Sequence, residues 1–466
     1  MKILSIFRIF SKKDWHWMQK FVESPVFNQH EPVQQLFRFL RKQDLSNDKS
    51  YSSDFLHKKA FKNSSFDTAK IHHTTHYLLQ TTENYLAWDE WWRDEAGKGR
   101  YLLQALRHRG LSRQFEEQLH KVGQKVENQP LRHAEHYRFR YELALEAYQH
   151  ALHETGRSTP EQLQEFTNWH DISFLAEKLK FACGIFSHQR FMQQKIENDL
   201  LPMILAYVES KPALLQYPAI AVYYHGYQAL SHPGEDRHFF ALKKWLADAA
   251  GQFPLPELRA VYLIGVNFCI NRINLRQEQF LREIFELYRS GLESEVFLEN
   301  GQITRLTYTN IAFAAMRLRE FDWVLQFLNS YREHLPEVQR QGTYSFNLAR
   351  FYCEKGDYRQ AMALLLEMDF DDVSHNLTAK AMLAKMYWET GEIVALDSLL
   401  ASFAAYLRRK RQVSEQQRQA YRNFVHFLKK SIALPPGDKA KKARLREEIK
   451  ASALVAEKEW MVRIHE

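Results

Sequence analysis

One short segment in the second half of the chain constrains the fold more than any other. Residues 344–372, YSFNLARFYCEKGDYRQAMALLLEMDFDD, place apolar residues at helical spacing on both sides of the turn Lys355-Gly356-Asp357-Tyr358. Glycine permits the positive φ at which helices commonly end. The segment therefore predicts two short antiparallel helices joined by a tight turn.

The same arrangement occurs three times in succession. The second helix of each unit begins at Phe321, Tyr358 or Ile393, at intervals of 37 and 35 residues. Ten and nine positions upstream, a large residue precedes an alanine in the pairs Ile311-Ala312, Leu348-Ala349 and Leu383-Ala384. A small side chain lets the two helices lie close together. The repetition predicts helix pairs that stack on one another.

The turn of each unit needs a residue with positive φ just before its second helix. Gly356 and Gly391 supply a glycine there, whereas Arg319 takes the place in the first unit. Pro336 lies fifteen residues after Phe321, where we expect it to end the second helix.

This pattern resembles the tetratricopeptide repeat (TPR), a helix-turn-helix unit of about 34 residues. Residues 344–372 match it well, and residues 307–336 and 379–407 match it fairly. The resemblance implies a right-handed superhelix whose concave face, lined by the first helix of each pair, binds a peptide or a partner protein. It implies the following partner-binding candidates: Asn310, Phe313, Arg317, Asn347, Arg350, Glu354, Lys385 and Trp388.

Two further comparisons qualify this resemblance. TPR domains that bind chaperone tails grip a carboxylate with five Lys, Asn and Arg side chains, and only Asn347 matches here, since the other places hold Thr309, Phe313, Thr378 and Met382. We therefore expect no chaperone-tail binding, and each candidate also has an alternative interpretation as packing within the repeats.

Glu23–Asn28 and Glu457–Trp460 are also similar to uncharacterised helical proteins from Bacteroidetes, which implies no activity.

Before the repeats, residues 1–96 predict a separate N-terminal helical domain. Ser11 and Asp14 form a capping-box motif, SKKD, at the start of one helix. A long helix is expected from Phe66 to Glu95, ended by Gly97 and Gly99.

The remaining sequence predicts amphipathic helices with short loops. Residues 97–300 are expected to form degenerate TPR-like pairs, residues 301–411 the recognisable repeats, and residues 412–466 basic capping helices. The upstream helices are predicted at Tyr101–Arg109, Phe115–Val126, Leu131–His153, Glu161–Phe181, His188–Val208, Ala219–Leu230, Phe239–Ala250, Leu258–Ile270 and Glu278–Leu292. One last helix, with Leu445, Ile449, Trp460 and Ile464 on one face, is expected to cover the end of the stack.

Composition supports an all-α protein in a reducing compartment. Glycine (16) and proline (13) are scarce, and no alternating apolar pattern predicts a sheet. The three cysteines are far apart, as expected in the cytoplasm. The apolar run Ile3–Phe10 is short and contains Arg8, so we expect neither a signal peptide nor a membrane span.

No sequence motif for catalysis is present, so we expect a protein that is not an enzyme and holds no cofactor. His72 and His76 have the spacing of two metal ligands on a helix, but no third ligand can be assigned, so we expect no metal site. Trp88, Trp91 and Trp92 are expected to pack in a core or between domains rather than to form an exposed stacking surface.

The net charge of +8 comes from the C-terminal end, since residues 401–466 contain 16 Lys and Arg against 7 Asp and Glu. Arg408–Arg411 and Lys439–Lys450 provide an alternative function, a nucleic-acid-associated regulator. Both stretches are also explained by a solvated helix face or by charge near a helix end. A homo-oligomer formed through the last helix is a third possibility. The leading hypothesis is a scaffold that binds a partner protein on its concave face.

Overall fold

The fold consists of α-helices and short 3-10 turns. A computed structural model describes residues 2–43, 45, 51–61, 65–192, 194, 196–366, 373–409, 413–435 and 437–466. Over these residues there is no β-strand, and one isolated bridge joins Glu299 to Gln302. The predicted all-α class is confirmed. The chain divides into two compact units, unit 1 (Met1–Pro130 and Glu135–Phe174) and unit 2 (Leu131–Ala134 and Leu175–Glu466).

Unit 1 begins with five helices that share one apolar core, which includes Phe7, Phe37 and Tyr85. The Ser11 hydroxyl accepts a hydrogen bond from the Asp14 backbone N–H (3.2 Å), and the Asp14 carboxylate accepts one from the Ser11 N–H (2.8 Å), as the capping box predicted. The helices of this unit are α1 (Lys2–Arg8), α2 (Lys12–Glu23), α3 (Glu31–Arg41), α4 (Ser53–Ala60), α5 (Thr68–Arg93), α6 (Glu95–His108), α7 (Ser112–Asn128), α8 (Ala134–Thr155) and the first part of α9 (Pro160–Met192).

The prediction that Gly97 and Gly99 end the long helix is wrong. Helix α5 ends at Arg93 because the Asp94 side chain accepts a hydrogen bond from the Gly97 N–H (2.8 Å) and so starts α6 as its N-cap. Gly99 then lies inside α6, where a Cβ atom would come 2.8 Å from a methyl group of Val122 on α7. This glycine is needed for close packing of two helices rather than for a break.

Unit 2 contains the second part of α9 and all later helices. These are α10 (Leu201–Ser210), α11 (Pro218–Ser231), α12 (Asp236–Asp248), α13 (Leu255–Asn274), α14 (Phe280–Glu293), α15 (Arg305–Arg317), α16 (Phe321–Ser330), α17 (Glu337–Lys355), α18 (Tyr358–Leu366), α19 (Val373–Glu389), α20 (Ile393–Arg409), α21 (Glu415–Ile432), α22 (Lys439–Ala451) and α23 (Lys458–Arg463).

Helices α11 to α20 are five consecutive pairs. We call α11, α13, α15, α17 and α19 the A helices and their partners α12, α14, α16, α18 and α20 the B helices. Each A helix packs against its own B helix, and each B helix packs against the next A helix. A helices also contact one another directly, α11 with α13, α15 with α17, and α17 with α19. This is the solenoid-like arrangement that the sequence predicted.

The repeat signature lies where the turns require it. The B helices α16, α18 and α20 begin at the predicted residues Phe321, Tyr358 and Ile393. Gly356 and Gly391 have φ of 86° and 74° in the preceding turns, and Arg319 adopts the same left-handed conformation with φ of 57°. The alanines of the large-small pairs, Ala312, Ala349 and Ala384, are fully buried between helices.

Three helix boundaries differ from prediction. Helix α9 continues to Met192 instead of ending at Phe181, because no proline interrupts it. The predicted helix His188–Val208 is wrong, because residues 188–192 belong to α9 and Pro202 opens the separate short α10. Pro336 does not end α16, which stops at Ser330; it is the N-cap of α17, where its missing N–H costs nothing.

The expected single last helix is two helices. Helix α22 ends at Ala451, and α23 starts at Lys458 after Glu457, whose φ is 51°. Both pack on α21, and the predicted apolar residues Leu445, Ile449 and Trp460 are buried there.

Candidate protein-binding face

The eight candidate residues lie on three successive A helices. Spacings of three and four residues place Asn310, Phe313 and Arg317 on one side of α15, and the same spacing repeats in α17. The remaining candidates are Asn347, Arg350 and Glu354 on α17, and Lys385 and Trp388 on α19. We use the name A face for the side of α15, α17 and α19 that carries Phe313, Arg317, Arg350, Glu354, Lys385 and Trp388.

The two asparagines serve packing between helices. Asn347 is fully buried, and its amide donates to the Thr309 hydroxyl (3.1 Å) on α15 and to the Thr343 carbonyl (2.9 Å). Asn310 is half-buried, and its side chain lies near the hydroxyl of Tyr288 on α14 and acts to lower the pKa of that hydroxyl. These residues therefore hold adjacent helices together, and a partner cannot reach Asn347 in this conformation.

Phe313 and Arg350 form the centre of the A face. The Arg350 guanidinium carbon lies 4.1 Å from the centre of the Phe313 ring, and that of Arg317 lies 5.9 Å from the same ring. Arg317 is exposed and forms an ion pair with Glu278 (2.9 Å). Burial lowers the pKa of the Arg350 guanidinium from its ordinary value, while Glu457 and Glu354 act to raise it. Arg350 is thus a partly buried charged group.

The C-terminal segment, residues 452–466, lies against this face. The Glu457 carboxylate is 3.9 Å from Lys385 Nζ, and the Trp460 indole N–H donates to Glu389 (2.7 Å) at the end of α19. Glu459 forms an ion pair with Arg276, in the turn after α13. No sequence signal identified these contacts, because Arg276 and Glu459 are 183 residues apart.

The other candidate sites are less developed. His72 and His76 line a cavity of about 310 Å³ in unit 1 together with Tyr51 and Thr75. Among the residues that the structure describes, no group of three His, Cys, Asp or Glu side chains has metal-site geometry. The three cysteines are buried, and burial raises the pKa of Cys353 to about 11, so its thiol is a poor nucleophile.

The tryptophans of α5 are more exposed than expected. Trp88 is half-buried, but Trp91 and Trp92 are 37% and 53% exposed on unit 1. The Trp88 and Trp92 rings stack with centroids 5.4 Å apart. Trp91 and Trp92 therefore do not pack in the apolar core, because they lie at the last turns of the helix, beyond that core. The other part of the expectation, packing between domains, stays a prediction.

Some of the basic C-terminal residues form ion pairs with carboxylates. Arg408 and Arg409 form the last turn of α20, and Lys410 and Arg411 lie outside the described residues. Around α22, short ion pairs join basic and acidic side chains, namely Lys430–Glu448, Lys441–Asp438, Arg446–Glu466 and Lys450–Glu447. These pairs reduce the positive potential that a phosphate backbone would meet.

Comparison with protein-family models, with curated proteins and with solved structures finds no match to this chain. None of the described helices combines the length and apolarity needed to cross a bilayer.

Proposed function

We propose that unit 2 is a scaffold of TPR-like helix pairs that binds a partner protein or peptide on the A face and catalyses no reaction. In a curved stack of this type the A helices line the concave side. The absence of catalytic sequence motifs agrees with binding as the function, and three isolated cysteines agree with a cytoplasmic protein.

One observation carries the proposal, the alignment of an aromatic ring and cations across three neighbouring A helices. Phe313 on α15, Arg350 on α17 and Lys385 on α19 follow one another along the A face. Aromatic and arginine side chains supply much of the binding free energy at protein interfaces. Because rigid helices hold them, little conformational entropy is lost when a partner binds.

A pair of matched charge reversals tests this function. Arg317→Glu changes an exposed arginine on the A face, and Arg359→Glu changes an exposed arginine on the B helix α18. We expect a co-purifying partner, recovered at stoichiometric level by the folded wild-type chain, to be lost with Arg317→Glu and retained with Arg359→Glu. Recovery that is equal for both variants, or no partner from intact bait, would contradict the proposal.

The alternative, a nucleic-acid-associated regulator, makes a separate prediction. Its binding would weaken steeply as salt rises, because phosphate contacts release counterions. The ion pairs around α22 neutralise part of the positive charge on which this alternative depends. Absence of DNA or RNA binding at low salt would remove the alternative.

A further inference from the structure

The most unusual charge on the A face is that of Arg350. A guanidinium has five N–H donors, and when buried it normally pairs with a carboxylate. Within the described part of the chain, Arg350 donates no hydrogen bond and has no carboxylate at ion-pair distance, although its side chain is partly buried. Its one close partner is the face of the Phe313 ring. The guanidinium is thus oriented by an aromatic ring but left without an anion.

Two further cations lie on the same side of unit 2. Lys385, on the next A helix, is four-fifths buried and has Glu457 as its carboxylate neighbour at 3.9 Å, the limit of an ion pair. Arg276 follows α13 in the left-handed conformation and is exposed. Arg276, Arg350 and Lys385 therefore present positive charge from three different repeats toward one segment of chain.

Two carboxylates of the C-terminal segment meet these cations. Glu457 and Glu459 extend from the start of α23, and the Arg276 and Glu459 side chains are both about three-quarters exposed. Glu457 adopts the left-handed conformation, which a side chain with a Cβ atom rarely adopts. Trp460 and Met461, by contrast, are anchored in the core with α19, α20 and α21. The two carboxylates can leave the face while the tryptophan anchor stays in place.

We propose that Arg350, Phe313, Lys385 and Arg276 form a site for an acidic segment of a partner protein, and that Glu457 and Glu459 occupy this site in cis. The inference rests on the proposed function and deepens it by naming the chemistry of the partner. Carboxylates of an incoming segment pair with Arg350 and Lys385 and displace the carboxylates of the chain itself. The site differs from the chaperone-tail clamp, whose corresponding positions hold Thr309, Phe313, Asn347, Thr378 and Met382.

Fluorescence anisotropy with a labelled synthetic peptide tests the proposal on the full-length chain. The probe has the sequence of residues 453–460, which contains both acidic residues and one lysine, and a control peptide has glutamine in place of both glutamates. We expect the protein with Glu457→Gln and Glu459→Gln to bind the acidic peptide at least tenfold more tightly than the wild-type protein does. The control peptide is expected to bind neither protein, and the affinity should fall as salt rises.

A third substitution, added to the double variant, tests whether Arg350 belongs to the peptide-binding site. Adding Arg350→Gln to the double variant should weaken peptide binding at least tenfold, whereas adding Arg359→Gln on α18 should leave it unchanged. Circular dichroism and urea unfolding confirm that each variant is folded. Equal affinity of wild type and double variant, or binding that survives Arg350→Gln, would overturn the proposal.

Two outcomes distinguish a failure of the proposed site for an acidic segment from a failure of the proposed scaffold function. If the peptide fails to bind but a partner is still lost with Arg317→Glu, the scaffold function stands and the acidic site is refuted. If light scattering shows a wild-type dimer that disappears in the double variant, the acidic segment belongs to a second copy, and the arrangement in cis is refuted.

Discussion

The guanidinium of Arg350 lies 4.1 Å from the centre of the Phe313 ring, so that a cation–π contact joins α17 to α15 in the middle of the A face. The contact orients a charged group that has no carboxylate partner among the described residues. We infer from the missing carboxylate that Arg350 has a role in binding.

This arrangement predicts that the charge of Arg350 contributes little to the free energy of unfolding. Arg350→Met keeps an apolar contact with Phe313, loses the cation–π contact and removes a partly buried cation. The last two effects oppose each other, so the free energy of unfolding should change by less than about 1 kcal/mol. Urea unfolding followed by circular dichroism measures it. A loss of more than about 2 kcal/mol would show that Arg350 is a structural residue.

The turn of the first repeat holds a residue in an unfavourable conformation. Arg319 has φ of 57° where the next two repeats have Gly356 and Gly391. Arg319→Gly should therefore raise the free energy of unfolding by roughly 0.5 to 1 kcal/mol, net of the extra chain entropy of glycine. The matched change Gly356→Ala should lower it by about 1 kcal/mol. Thermal melts of the two variants with shifts of the same sign would contradict this account of the turn.

Substitution by alanine at two glycines of the α6–α7 pair should change the stability of unit 1 in opposite directions. A Cβ at Gly99 would lie 2.8 Å and 3.3 Å from the two methyl groups of Val122, whereas a Cβ at Gly123 meets no atom within 4 Å. Gly99→Ala should destabilise unit 1 by about 1 to 3 kcal/mol through overpacking. Gly123→Ala should stabilise it by roughly 0.5 to 1 kcal/mol through helix propensity. Equal effects in urea unfolding would refute the close approach of α6 and α7.

A histidine pair should make the free energy of unfolding of unit 2 fall at acidic pH. The Nδ1 atoms of His225 on α11 and His238 on α12 lie 3.0 Å apart. Burial, His238 and Arg237 lower the pKa of His225 to about 4. Burial and then Arg237 also lower the pKa of His238, against the opposing effect of Glu235.

Because the native pKa of His225 is below the unfolded value near 6.5, the unfolded state binds more protons between pH about 4 and 6.5. The contribution of His225 to the free energy of unfolding is fully present above pH 6.5, and it is lost as the pH falls from about 6.5 to about 4. We expect a loss on the order of 2 kcal/mol, most of it absent in His225→Gln. The control His153→Gln changes an exposed histidine. Urea midpoints of wild type and His225→Gln that fall in parallel with pH would contradict the prediction.

The turns and the close-packed positions of the repeat could be predicted from the sequence, whereas the residues exposed on its surface could not. Phe321, Tyr358 and Ile393 begin helices as predicted, because turn geometry and close packing are determined by residues a few positions apart. The burial of Asn347 depends on Thr309 of the preceding repeat, so helix spacing alone could not distinguish a packed residue from an exposed one.

Competing local signals explain the boundaries that were wrong. Gly97 and Gly99 suggested a helix end, but the cap formed by Asp94 determined where α6 begins. The contact of Glu457 with Lys385 and that of Glu459 with Arg276 join distant parts of the chain, and only the folded stack brings them together.

Site-specific photo-crosslinking tests the central claim, that the A face binds the partner, most directly. A photoreactive residue replaces Arg317 or Glu354, exposed on the A helices α15 and α17, or in control variants Gln326 or Asp397, exposed on the B helices α16 and α20. The crosslinked product is then counted by mass spectrometry. We expect one partner to crosslink from both A-helix positions and from neither B-helix position. Crosslinks that come mainly from Gln326 and Asp397 would place the partner on the opposite side and contradict the account.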